Sequence, residues 1–248
     1  MTILDLFFAR LRAAGPIDTN DLQLLLQLPR TTFTAPAQTA IARTGDRLGG
    51  ATLLLQGMAC RSRVRSAGAR QILSIHIPGD ALDLTPAFEA RDDTLEALTT
   101  CRGVLIPYPA LEAAMQRPSL RAAFARLAGA EANMLAERLV SLGRRAALER
   151  MAHFFCEIVA RMDAVGLGAN GRYDMPLTQA DLADALGLSV VHVNRTLQQL
   201  RATGAISFRS QRLSVHDHDA LRAMAEFHPS YLHLEGRQPA QQRAAQVA

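Results

Sequence analysis

Apolar residues fall at helical spacing over residues 3–13 ("ILDLFFARLRA") and 19–28 ("TNDLQLLLQL"), which predicts two short helices, with Thr19 or Asn20 as N-cap of the second. From Phe33 to about Tyr108 the texture changes. Short apolar runs ("ATLLLQG", "QILSIHI", "TLEALTT") alternate with Gly, Pro and Asp, as in a small β-barrel or jelly roll, and Pro78-Gly79-Asp80 marks a turn. From Pro109 to about Gly143 the spacing is helical and long. Leu120, Leu127 and Met134 recur every seven residues, with Ala123 and Ala130 between them. That is either a seam for a partner helix or a helix lying on its own domain's core, and Leu135, Leu139 and Leu142 widen the stripe. Gly143-Arg144-Arg145 is the expected hinge, followed by the helix "ALERMAHFFCEIVARM" and the loop "GLGANG".

The stretch "LTQADLADALGLSVVHVNRTLQQLR" (177–201) holds two helical patterns broken at one glycine. Thr178 and Asp181 are spaced for a capping box, Gly187 can take the positive φ of a sharp turn, and Ser189 is a good N-cap for the second helix. Leu182, Ala183, Leu186, Leu188, Val193 and Leu197 fall where the helices must face each other. This is the spacing of a helix-turn-helix, whose second helix enters the DNA major groove. The polar face offers Ser189, His192, Asn194, Arg195, Gln198 and Gln199 to bases, Val190 and Val191 to a thymine methyl or sugar, and Gln179 from the first helix. Next, "GAISFRSQRLSV" reads as a hairpin wing, with Arg201, Arg209 and Arg212 supplying charge to phosphates. An ordinary hairpin with a solvated polar face is the alternative.

Composition narrows the classes further. Of 248 residues, 49% are apolar and 20% charged, as in a soluble globular protein of one or two domains. No apolar run approaches bilayer length, and Asp5 and Arg10 interrupt the N-terminal apolar stretch, so a cytoplasmic protein and no membrane partner are expected. All 27 basic residues are arginine, planar forks suited to phosphate or carboxylate, and the net charge of +4 leans weakly toward polyanions. Cys60, Cys101 and Cys156 are odd in number and far apart, which suggests free buried thiols.

The order of barrel-like half, Pro-Gly-Asp turn, long helix, hinge and winged helix resembles the Crp/Fnr family of bacterial transcription regulators over about residues 30–220. The motifs are Pro78-Gly79-Asp80, Gly143-Arg144 and residues 177–206, and within the family "HxPGDxxDL" and "VHVNRTLQxLR" are similar to a poorly characterised alphaproteobacterial-type group. The resemblance implies an α+β chain. A cyclic-nucleotide-binding-like sensory barrel with N-terminal helices spans 1–108, a dimerisation helix 109–142, a winged-helix DNA-binding domain 143–235, and a flexible tail 236–248. It implies a homodimer joined through Leu120, Ala123, Leu127, Ala130 and Met134. Its partners would be palindromic double-stranded DNA, read principally by Arg195 with Ser189 and His192 near it, and RNA polymerase. Val191 stands where the best-known members place an acidic base-reader, so their half-site does not carry over.

Members that bind cyclic AMP use a Gly-Glu turn and then an Arg-Ser or Arg-Thr pair. Here that pair falls on Asp92-Asp93, whose carboxylates would repel a phosphate, with Arg91 adjacent; cyclic AMP is not expected. Candidate contacts for an unidentified small-molecule effector are His76, Gly79, Asp80, Asp83 and Arg91; no cofactor or metal is predicted. A lone His76 could ligate haem, but a hydrogen-bonded strand histidine is the simpler reading. In "SVHDHDAL", Asp217 or Asp219 as an N-cap is simpler than a metal site at His216 and His218. No nucleophile–base set or phosphate loop points to an enzyme. The rival reading is a ligand-binding barrel whose winged helix docks protein.

Overall fold

The computed structural model describes residues 3–84 and 90–234. Helices α1 (Asp5–Ala13) and α2 (Thr19–Gln27) come first. Asp18, one residue ahead of the two expected caps, caps α2: its Oδ1 accepts from the Asn20 amide at 2.7 Å.

Eight strands then form two antiparallel four-stranded sheets, as a jelly roll requires. They are β1 (Thr31–Ala35), β2 (Thr39–Ala42), β3 (Gly50–Gln56), β4 (Ala59–Val64), β5 (Arg70–His76), β6 (Ala81–Asp83), β7 (Thr94–Ala97) and β8 (Cys101–Pro107). One sheet runs β1-β8-β3-β6 and the other β2-β7-β4-β5. The three apolar runs fall on β3, β5 and β7. Small residues such as Ala35, Ala42, Ala59 and Ala97 form much of the core between the sheets, with Leu54, Leu82 and Leu95.

The long helical pattern is two helices, α3 (Tyr108–Ala114) and α4 (Pro118–Arg144). Proline at the start of α4 explains the break: it forces the preceding residue out of the helical region, and Arg117 sits at φ −73°, ψ 123°. Leu120, Ala123, Leu127 and Ala130 are buried within the chain, the first, second and last to 0% exposure, and the first three pack with α1 and with Ala51, Leu53, Val104 and Ile106 of the first sheet. The residues expected at a dimer seam are therefore internal core, because heptad spacing is the same whether a helix faces a partner or its own domain. Met134, half-buried, packs against the core of the C-terminal half. The opposite side of α4 is open: Ala122, Ala125, Ala132, Ala136, Leu139 and Val140 are exposed, Leu139 to 73%.

Gly143 and Arg144 are helical, so of the three residues expected at the hinge only Arg145 takes part in the bend. Arg145 (φ −79°, ψ 140°) and Ala146 (φ −62°, ψ 159°) are extended. Helix α5 (Ala147–Ala164) restarts with Glu149 Oε2 accepting from the Ala146 amide at 3.1 Å. Then come β9 (Arg172–Asp174), α6 (Gln179–Leu186), α7 (Val190–Ala202), β10 (Ile206–Arg209), β11 (Arg212–Val215), α8 (His218–Ala225) and a 3₁₀ turn, Pro229–Leu232. The strands form one sheet, β10-β11-β9. The expected flexible tail lies outside the described residues.

The two halves share a core. Met58, Cys60, Ile72, Ile75 and Ile77 of the barrel join Phe155, Ile158, Leu182 and Leu186 in one buried cluster. All three cysteines are free and buried, and burial pushes the Cys60 thiol up to about 12.

Candidate DNA interface

Local chemistry builds the α6–α7 unit. Thr178 Oγ1 accepts from the Asp181 amide at 3.1 Å while Asp181 Oδ2 accepts from the Thr178 amide at 3.0 Å, closing the capping box. Gly187 ends α6 at φ 63°, ψ 39°, the left-handed conformation an L side chain resists. Ser189 Oγ then accepts from the His192 amide at 3.2 Å and starts α7. Val193, Leu197 and Leu200 turn inward, at most 2% exposed, so register alone directs the other face to solvent.

On that face Val191 (81% exposed), Asn194, Arg195, Gln198 and Gln199 stand free, with Ser189 and Val190 at the helix start and His192 half-buried. Gln198 Nε2 donates to Asn194 Oδ1 at 3.1 Å, which orders the two amides. Arg195 makes no ion pair among the described residues, so its fork is available for a base edge. Gln179 is exposed at the N-terminus of α6.

The wing is present, turning through Ser210 (φ 49°) and Gln211 (φ 61°). Its three arginines differ. Arg209 is exposed. Arg212 Nε is 3.0 Å from Asp174 Oδ1, a pair in solvent that a phosphate can displace. Arg201 donates to the Phe208 carbonyl and is half-buried. It braces the wing against α7. Asp217 Oδ1 accepts from the Ala220 amide at 2.8 Å and caps α8, while His216 and the Ser207 hydroxyl are 3.1 Å apart.

Sequence reasoning missed what holds this unit in place. Arg150 Nη1 donates to the Leu186 carbonyl at the end of α6 (2.7 Å), and its Nη2 to those of Leu142 (3.1 Å) and Arg145 (3.0 Å). Gln71 on β5 donates to the Asp184 carbonyl at 2.7 Å, and Arg70 lies within 3.5 Å of Asp181 and 3.6 Å of Asp184. Nothing in the local sequence pairs residues so far apart.

In the barrel, the candidate ligand residues turn out to be structural. Asp80 is buried, takes a hydrogen bond from the Ile77 amide at 2.9 Å, pairs closely with Arg161 of α5 and lies 3.6 Å from Arg10 of α1. Gly79 (φ +95°) lies so close to α1 that a Cβ there would stand 2.8 Å from the Leu6 carbonyl oxygen. His76 is 5% exposed, its Nε2 is 3.0 Å from the Ser74 hydroxyl, and burial pushes its pKa down to about 4. The cavities beside it measure about 20 and 30 Å³, far too small for a haem. The Arg91 fork is occupied by Asp83 and Asp93. Asp93 is buried and also bound by Arg61 at 2.6 Å, and Arg61 reaches Glu131 on α4 at 2.6 Å. Asp92 points out instead, 3.0 Å from Arg63, so only one of the two carboxylates faces inward.

Residues 32–118 match the family model of the cyclic nucleotide-binding domain and residues 149–224 that of the Crp-like helix-turn-helix domain. The nitrogen fixation regulation protein FixK of Bradyrhizobium diazoefficiens is 30% identical over 69% of this chain and 72% of its own. The transcriptional activator protein Anr of Pseudomonas aeruginosa is 27% identical over 74% and 75%. The solved structure of FixK2 from Bradyrhizobium japonicum superposes with a TM-score of 0.70 at 27% identity, over 79% of this chain and 98% of that one.

Proposed function

The chain belongs to the Crp/Fnr family and is a DNA-binding transcription regulator, and from that premise we propose that it acts as a cytoplasmic homodimer reading a palindromic site. The observation that carries this is the exposed polar ridge of α7, with Arg195 unpaired between Val191 and Gln198. Arg195 reads a guanine, Asn194 and Gln198 offer amides to adenine, and Val191 meets a methyl group. Gln179, Ser189, His192, Gln199, Arg209 and Arg212 flank the site and contact backbone and neighbouring bases.

The dimer seam is the open side of α4. Leu139, Val140 and Leu135 are large apolar residues in solvent, on a stripe continued toward the N-terminus by Ala132, Ala125 and Ala122. Covering such a stripe with its symmetry mate removes apolar area from water. Pairing there would set two recognition helices about 34–36 Å apart, one turn of DNA. RNA polymerase is the downstream partner. The barrel receives the signal, and cyclic AMP is not that signal: with the Arg91 fork held by Asp83 and Asp93, a cyclic phosphate would have to displace two carboxylates.

Fluorescence anisotropy on palindromic duplexes selected from random sequence tests this. Binding falls steeply with salt, and Arg195→Ala loses about 1–3 kcal/mol and relaxes base choice at one position per half-site. Unchanged affinity and preference in Arg195→Ala would remove Arg195 from the interface. A winged helix that docks protein would show no duplex preference at all.

A further inference from the structure

The 3₁₀ turn Pro229–Leu232 lies along the long helix α4 and is fixed there. Leu232 is 0% exposed. The Tyr231 hydroxyl donates to Glu157 Oε2 of α5 at 3.1 Å, and its ring stacks on His153 of the same helix, centroids 6.0 Å apart. His233, just after the turn, is 2.9 Å from the Asn133 amide nitrogen of α4. The turn is therefore a wall standing beside α4 and bolted to the DNA-binding half.

Between wall and helix runs an open groove of about 370 Å³, lined by Asn133, Ala136, Glu137, Val140, Ser230 and Tyr231. The four helix residues follow i, i+3, i+4, i+7 and so share one face of α4. Ala136 and Val140 belong also to the exposed apolar stripe that carries Leu135 and Leu139. The groove is thus one flank of that stripe. A helix covering the stripe, its axis about 8–10 Å away, must also pass over the mouth of the groove. Glu137 is the one charged residue in its lining, and Arg145 holds it at 2.6 Å.

Which residue of a second copy meets the groove follows from symmetry, and here the inference rests on the homodimer proposed above. Both recognition helices lie beyond the C-terminal end of α4 and must face one duplex, so the two long helices run in the same direction. Opposite flanks then meet: a residue i on one helix contacts j on the other, and j contacts i. Leu139 and Val140 point about 100° apart, to the two flanks of the stripe. The Leu135–Leu139 flank of one helix therefore faces the Val140 flank, and the groove, of its mate.

We propose that the groove between α4 and the 3₁₀ turn receives Leu139 of the partner subunit, which makes the C-terminal turn of each protomer a part of the dimer interface. Because Tyr231 ties that turn to Glu157 and His153, pairing of the long helices also braces each DNA-binding half. The chain's own residues 235–248 suit the groove less well, since Val247 is their only branched aliphatic residue.

Cysteine crosslinking tests the contact. Full-length Leu139→Cys and Ser230→Cys chains carrying tags of different size are mixed, allowed to exchange and oxidised; the three native cysteines are buried. A disulfide joining the two differently tagged chains is expected. Its absence overturns the proposal, as does a link between two Ser230→Cys chains, which would mean that like flanks meet. Ser230 is exposed, so Ser230→Arg should fold as the parent does and block the groove. Sedimentation should then show a dimer dissociation constant at least tenfold higher. An unchanged constant overturns the proposal, and is the result expected if the chain's own tail fills the groove. If Leu139→Arg dissociates the dimer while Ser230→Arg does not, the seam on α4 stands and only the role of the turn falls; if the parent is itself a monomer, the seam falls too.

Discussion

Arg150 and the Leu186 carbonyl, 2.7 Å apart, join the bend after the long helix to the end of the first helix-turn-helix helix. The same guanidinium holds the Leu142 and Arg145 carbonyls at 3.1 and 3.0 Å, so one side chain caps α4 and α6 at once. Arg150→Ala leaves three carbonyls to water or to nothing. Charged hydrogen bonds of this kind carry about 1.5–3 kcal/mol each, but solvent reaches part of the site, so about 2 kcal/mol in total is expected. Chemical denaturation measures this, and calorimetry should show a melting temperature lower by about 4–8 °C. A variant that melts like the parent would leave Arg150 without a bracing role.

How much of this was legible in the sequence follows the range of the interactions. Thr178, Asp181, Gly187 and Ser189 act within a turn of themselves, and their spacing alone identifies each as a cap or bend; Asp217, one of two candidates for its cap, is the one that serves. Asp80 is different. Its partner Arg161 is 81 residues away, so the local sequence offers Asp80 as a ligand contact while the fold makes it a buried, ion-paired carboxylate. Leu120 and Leu127 show the same limit: their spacing fixes a helix face, and only Leu53 and Val104, far off in the chain, decide that the face is internal. The short strand β9 exists because β11 pairs with it, and three residues carry no period of their own.

Two turn glycines should respond differently to the same change. At Gly187 (φ +63°) the nearest atom a Cβ would meet is the flexible tip of Leu142, at 3.2 Å, with Arg150 Nη1 and Gln71 Oε1 in ordinary contact at 3.9 Å. At Gly79 (φ +95°) it would meet the Leu6 carbonyl oxygen, a backbone atom, at 2.8 Å. Asparagine tolerates the left-handed region, so Gly187→Asn should cost under about 1 kcal/mol, whereas Gly79→Asn adds a clash and should cost about 2–3 kcal/mol. Urea midpoints of the two variants give the comparison; equal losses would mean that strain, not space, governs both.

Stability should fall as the pH drops from 7 to 5. His76 and His153 are buried, and burial pushes both down to about 4 from an ordinary 6.5, with Arg145 beside His153 adding to its shift. Glu137, 3.2 Å from His153, and Glu157 act the other way without overcoming burial. Between pH 6.5 and 4 the unfolded chain binds protons that these folded imidazoles refuse, so unfolding becomes easier with acid. Glu131, raised by burial despite Arg61, offsets a part. The two histidines together should remove about 2–4 kcal/mol by pH 5. Urea midpoints across that range measure it, and His153→Gln should flatten the slope by about half. A flat profile in the parent would show both histidines to be accessible to protons.

Arg209 and Arg201 separate contact with DNA from support of the wing. Arg209 is exposed, so Arg209→Ala should lower the salt slope of DNA binding by about 1, lose affinity evenly across sequences, and leave folding unchanged. Arg201 donates to the Phe208 carbonyl, and Arg201→Ala should instead destabilise the fold by about 1–2 kcal/mol. Its DNA salt slope should stay near that of the parent. Swapped behaviours would mean that Arg201 releases Phe208 to take a phosphate.

The dimer seam proposed on α4 is open to a direct test, because the buried and exposed faces of that helix make opposite predictions. Leu139 is 73% exposed, so Leu139→Arg should fold with unchanged stability at high dilution. Across a two-fold axis it would bring two arginines together in an apolar contact, and sedimentation should show a monomer with much weaker affinity for palindromic DNA. Leu127, 7% exposed, lies in the core with Leu53 and Val104. Leu127→Ala should leave the dimer intact while lowering stability by about 2–5 kcal/mol, the usual cost of a core cavity. If Leu127→Ala dissociated the dimer and Leu139→Arg did not, the partner would sit on the face that the protomer already fills with its own barrel, and the arrangement of α4 would have to be redrawn.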